Sequence, residues 1–138
     1  MDNIQKLEYD YSNLERKKKT MMICDDNLDM LFLFGLVLES RYNLIMVDSG
    51  EECIDKYIKE TIRGNKISLT LLDYKLGGML GDSVGHKIKE CNETKIILKS
   101  AYNVDDVLIR DIHYLSRYIQ KPFDTDRLTD LVAEMVKN

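Results

Sequence analysis

Tryptophan is absent from the 138 residues, proline occurs once (Pro122), histidine twice (His86 and His113) and cysteine three times. So little proline, with only seven glycines, excludes a proline-rich linker or a collagen-like repeat. Cys24, Cys53 and Cys91 are odd in number and have no CxxC spacing, so a disulfide framework is not indicated. Buried free thiols in a reducing compartment are the expectation. Neither histidine has a second ligand at metal-binding spacing. Gly77, Gly78 and Gly81 fit neither GxGxxG nor a P-loop, which removes the usual nucleotide signatures. There is no basic excess: the net charge is −4, unlike a protein that must neutralise nucleic-acid phosphates. Apolar runs are too short to span a bilayer, and the polar N-terminus lacks the apolar core of a secretory signal. The expectation is a cytoplasmic protein with no membrane insertion and no direct nucleic-acid contact.

What remains is the composition of an ordinary globular domain, with 44% apolar and 32% charged residues at a length suited to one core. Residues 1–19 stand apart as a charged extension. They combine Ile4, Leu7, Tyr11 and Leu14 with the basic run Arg16 to Lys19, a pattern open to a short helix or a solvated arm. The domain proper is expected over 20–138.

From Thr20 onward short apolar runs alternate with segments of helical period. Met21 to Cys24 reads as a buried strand ending at Asp25 and Asp26. Asn27 to Arg41 has helical spacing, Tyr42 to Val47 is a second strand, and Ser49 with Glu52 forms a capping box for a helix that stops at Gly64. Ile67 to Leu72 makes a third strand ending at Asp73, followed by a glycine-rich loop and a helix from about Asp82 to Cys91. Lys95 to Ser100 is a fourth strand, Asn103 to Ile112 a fourth helix and Tyr114 to Ile119 a fifth strand. Asp124 then caps a last helix with Leu128, Leu131, Val132 and Met135 on one face. Five strands joined by long helical crossovers predict an α/β, three-layer architecture: a five-stranded parallel sheet with five alternating helices on both faces.

Parallel strands deliver their carboxyl ends to one edge, where α/β sheets gather ligands. Asp25 and Asp26, Asp73, Ser100 and Lys121 therefore converge, although each alone is a weak signal: an Asp after a strand is commonly a turn former or helix cap, and Asp26 alone reads equally as the N-cap of the first helix. Asp48, after the second strand, reads as loop. Three carboxylates in one place repel each other unless a cation offsets them, and a hard oxygen-seeking ion such as Mg²⁺, with Lys121, meets that need. A carboxylate nucleophile, a metal and an ammonium together suit phosphoryl transfer through an aspartyl phosphate, with the Ser100 hydroxyl as an added donor.

In this order MMICDD, LTLLDYKLGGMLG, IILKSA and YIQKPF resemble the CheY-like receiver domains of two-component response regulators over roughly residues 20–137. The resemblance implies a flavodoxin-like, doubly wound sheet of order 2-1-3-4-5 and makes Asp73 the phosphoacceptor. It implies Mg²⁺ bound directly by Asp26 and mainly through water by Asp25, with Asp73 and the backbone carbonyl of Lys75 as further members of the metal site. Lys121 would bind phosphate, Ser100 and Tyr118 would be the switch pair, and the Lys121–Pro122 bond would be cis. The chain departs from the family at Leu76, Gly77 and Gly78, where proline is frequent, and bulky Tyr102 is expected to slow self-dephosphorylation. The implied function is a stand-alone regulator that takes a phosphoryl group from a histidine kinase or phosphotransfer protein and signals by binding a downstream target. It would catalyse only its own phosphorylation and dephosphorylation, and homodimerisation stays open. A magnesium-dependent phosphohydrolase is disfavoured because its nucleophile would be expected in a DxD pattern on the first strand. A phosphorylation-independent scaffold is disfavoured by the complete set of site residues.

Overall fold

A computed structural model of the chain describes residue 3 and residues 18–76, 79–91, 94–100 and 117–137. The N-terminal arm but for residue 3 and its last two residues, Gly77 and Gly78, Tyr102, the predicted helix Asn103 to Ile112 and His113 lie outside the described residues. In chain order the elements are β1 (Thr20–Cys24), α1 (Leu28–Leu38), β2 (Asn43–Val47), α2 (Gly50–Ile62), β3 (Leu69–Asp73), β4 (Lys75–Leu76), β5 (Met79–Leu80), α3 (Gly81–Cys91), β6 (Lys95–Ser100), β7 (Arg117–Gln120) and α4 (Thr125–Lys137). Four helices therefore lie among the described residues, against five predicted for the whole chain.

The main sheet has the order β2-β1-β3-β6-β7 and every pairing in it is parallel. Side chains alternate across a strand, so each strand feeds two cores. Met22, Cys24, Leu72, Ile96 and Leu98 join Cys53 and Tyr57 of α2 and Val84 and Ile88 of α3 on one face. Met21, Ile23, Leu69, Leu71 and Ile97 join Leu31, Phe34 and Leu38 of α1 and Leu128 and Val132 of α4 on the other. Burial on both faces explains why β1 and β6 carry continuous apolar runs, Met21 to Cys24 and Ile96 to Leu98, and not alternating patterns.

Helix boundaries follow local chemistry. The Asn27 side chain accepts from the amides of Asp29 (3.0 Å) and Met30 (3.3 Å) and so caps α1, leaving Asp26 free of that duty. Ser49 Oγ accepts from the Glu52 amide at 3.1 Å, and α2 ends before Gly64, whose φ of 82° suits glycine best. Asp124 accepts from the Arg127 amide at 2.7 Å at the start of α4. At its other end Lys19 and Lys95 donate to the carbonyls of Val136 (2.7 Å) and Met135 (2.8 Å), a favourable placing of cations at a helix C-terminus. Cys24 and Cys53 are buried and free, as expected, and the hydrogen bond to Cys53 together with burial pushes the Cys24 thiol up, so it stays protonated.

The segment after β3 differs from the predicted loop. Lys75–Leu76 and Met79–Leu80 pair antiparallel, with Lys75 opposite Leu80 and Leu76 opposite Met79. Gly77-Gly78 separates them, a dipeptide that two-residue hairpin connections favour. The Lys121–Pro122 bond is cis. Leu71 lies on the central strand with no exposed surface. Leu71→Ala should destabilise the fold by about 2–5 kcal/mol with a lower urea midpoint, whereas Leu36→Ala, at an exposed position, should shift the midpoint little.

Candidate functional site

The ladder that builds the sheet also assembles the site. Pairing of β1 with β3 and of β3 with β6 puts Cys24 opposite Leu72 and Asp73 opposite Lys99, so Asp25, Asp73 and Ser100 all emerge at one edge. Backbone hydrogen bonds extend the alignment past the strands. The Asp25 amide donates to Val47 O (3.2 Å), the Tyr74 amide to Lys99 O (2.8 Å) and the Lys121 amide to Ser100 O (2.7 Å). Lys121 is thereby tied to the end of β6 beside Ser100, although 21 positions separate them in sequence.

Carboxylate oxygens of Asp25, Asp26 and Asp73 lie within 4.8 Å of one another. Asp25 and Asp73 are buried and Asp26 is exposed, so the cluster opens to solvent through Asp26. Lys121 Nζ contacts Asp73 Oδ1 at 2.7 Å. Of the other predicted residues, Ser100 is buried at the end of β6, and Tyr118, partly buried, packs against the core shared with α2 and α3. Lys75 follows within two residues of Asp73 in β4; its side chain lies outside the described residues. Asp48 is exposed beyond β2 and takes no part in the cluster.

The sequence reading missed Lys99. This lysine has no exposed surface, and its Nζ lies 2.6 Å from Asp25 Oδ2 and 4.4 Å from the centroid of the Phe34 ring. Phe34 is itself stacked on Phe123 at 6.5 Å. The second Asp25 oxygen accepts from the Asn27 amide at 2.9 Å, so both oxygens of this carboxylate are engaged within the protein. A signal was available: a lysine within the predicted strand Lys95 to Ser100, directly after Ile96, Ile97 and Leu98, is a residue type almost never buried without a partner. Burial lowers the Lys99 pKa from its ordinary value, with the charge and hydrogen bond of Asp25 acting the other way.

An all-oxygen set of clustered carboxylates is the donor chemistry of a hard divalent cation, so the residues present fit Mg²⁺. Asp26 and Asp73 would hold it most directly, because Asp25 already serves Lys99 and Asn27.

Burial pushes the Asp73 carboxyl above the usual carboxylate range, against the hydrogen bond from Lys121 and the charges of Lys99 and Lys121. A carboxyl that holds its proton more tightly when folded contributes instability that grows as pH rises from the unfolded value near ~4 through the folded one. Asp73→Asn should therefore raise Tm at pH 7 by about 2–5 °C in EDTA, with the gap closing as pH falls toward ~4. Circular-dichroism melts of both proteins across that range check the sign.

Residues 21–133 match the family model of the response regulator receiver domain. A two-component response regulator of Oryza sativa subsp. japonica is 25% identical over 122 residues, which cover 83% of this chain and 56% of the relative. The chain thus spans little more than half the length of that relative. Among solved structures, a two-component response regulator from Clostridium difficile superposes with a TM-score of 0.75 at 21% identity, covering 88% of this chain and 98% of the other. The chemotaxis protein CheY4 of Vibrio cholerae superposes with a TM-score of 0.72 at 13% identity, covering 86% and 98%.

Proposed function

Because the chain belongs to the response regulator receiver family, we propose that it is a cytoplasmic, magnesium-dependent phosphoacceptor that takes a phosphoryl group on Asp73 from a phosphohistidine in a kinase or phosphotransfer protein. The observation that carries this reading is Asp73 itself: a buried carboxylate at a strand end, 2.7 Å from the Lys121 ammonium and inside a carboxylate cluster. In the transfer an Asp73 oxygen attacks phosphorus, the phosphorus–nitrogen bond of the donor breaks, and an acyl phosphate forms. Lys121, already at the acceptor, offsets the negative charge of the arriving phosphoryl oxygens, and Ser100 offers a hydroxyl from the neighbouring strand. Asp26 and Asp73 would hold Mg²⁺, which would supply further charge stabilisation for phosphoryl transfer.

The chain turns over no separate substrate in this reading; it catalyses only its own phosphorylation and dephosphorylation. Its output is phosphorylation-dependent binding of a target protein. Movement of Ser100 toward the new phosphoryl oxygens, coupled to Tyr118 two positions before Gln120, the register partner of Ser100, biases the protein toward its target-binding state. An apolar row on α1, Leu28, Phe32 and Leu36, is exposed and begins two residues beyond Asp26. Its position beside the acidic edge supports approach of a protein donor to Asp73.

Incubation with acetyl phosphate and Mg²⁺ should give one phosphoryl adduct by intact-mass spectrometry. Asp73→Asn should give none, and EDTA should abolish the adduct in the wild type. An adduct that survives in Asp73→Asn overturns the assignment of the acceptor.

A further inference from the structure

Lys99 lies outside the chemistry just described, yet it is the most deeply buried charge in the site. Among the described residues three carboxylates face two ammonium groups at this edge, which leaves a single net negative charge among these five groups before any ion arrives. Both Asp25 oxygens are already engaged: one is 2.6 Å from Lys99 and the other accepts from the Asn27 amide. Lys99 Nζ is held between the Asp25 carboxylate and the Phe34 ring, which Phe123 backs, and its charge reaches Asp73 only as a weaker influence beyond that pair.

Resting on the reading of the cluster as a magnesium pocket, we propose that Lys99 is a built-in cation that takes Asp25 out of metal binding. Mg²⁺ is left to Asp26 and Asp73, and its affinity is held down by the internal ion pair. Lys99 is thus a specificity-determining residue for the cation: it acts through Asp25 and touches neither phosphoryl group nor donor. The pair as a whole adds no net charge, whereas either member alone adds one. An ion arriving at a site of one net negative charge meets a weaker field than at one of two.

The test is calorimetric titration of Mg²⁺ into three proteins, each first checked for a cooperative thermal melt. Lys99→Met should tighten Mg²⁺ binding by about tenfold or more, because it frees Asp25 and removes a positive charge. Lys99→Met with Asp25→Asn replaces the ion pair by a neutral pair and should bind Mg²⁺ within about threefold of wild type. Unchanged or weaker binding in folded Lys99→Met overturns the proposal. So does a loss of about tenfold or more in the double variant, the result expected if Asp25 holds the ion in the wild type. Lys99→Met leaves a buried carboxylate unpaired; if it does not fold, the double variant decides alone. Wild-type protein that binds no Mg²⁺ and takes no phosphoryl group from acetyl phosphate would instead remove the receiver chemistry itself, a failure distinct from a wrong response to Lys99.

Discussion

Mutual repulsion of three carboxylates at one sheet edge is the constraint around which this molecule is arranged. The parallel ladder compels the crowding: once β1 and β3 are in register, Asp25 and Asp73 emerge side by side. Burial of two of the three sharpens the conflict, because removing an ionised carboxylate from water is expensive unless a partner comes with it. Two lysines from neighbouring strands answer, one from within the sheet and one from the turn beyond β7. The two pairs are unequal. Lys99 and Asp25 are fully buried, with the ammonium over the Phe34 ring, whereas Lys121 reaches Asp73 from a partly exposed position and keeps access to what arrives from solvent.

Much of this was legible in the sequence, for a definite reason. Strands buried on both faces show as apolar runs, helices show as a change of period, and site residues sit where one pattern gives way to the other. That is why Asp25, Asp26, Asp73, Ser100 and Lys121 stood out without coordinates. Less legible were features that depend on what lies opposite. Met79–Leu80 is too short to carry a periodic signal, so the hairpin after Asp73 read as loop. Whether Asp26 or Asn27 caps α1 depends on one rotation of the backbone, and Asn27 takes the role. Lys99 was hidden because its meaning needs a partner 74 positions away and an aromatic ring on another helix.

Identity to the solved relatives is 21% and 13%, while the topology is retained. At that distance what the solved structures share with this chain is the fold.

Lys19 and Lys95 both bind the last carbonyls of α4, so the residue before β1 and the end of the final helix meet. Strands that run toward the acidic edge begin at the other pole, and this junction therefore sits on the far side of the sheet from Asp73. Lys19 and the end of α4 therefore both lie at that remote pole. A label, a solid support or a fused neighbour attached at either point would hold the protein by its base, with the acceptor facing outward.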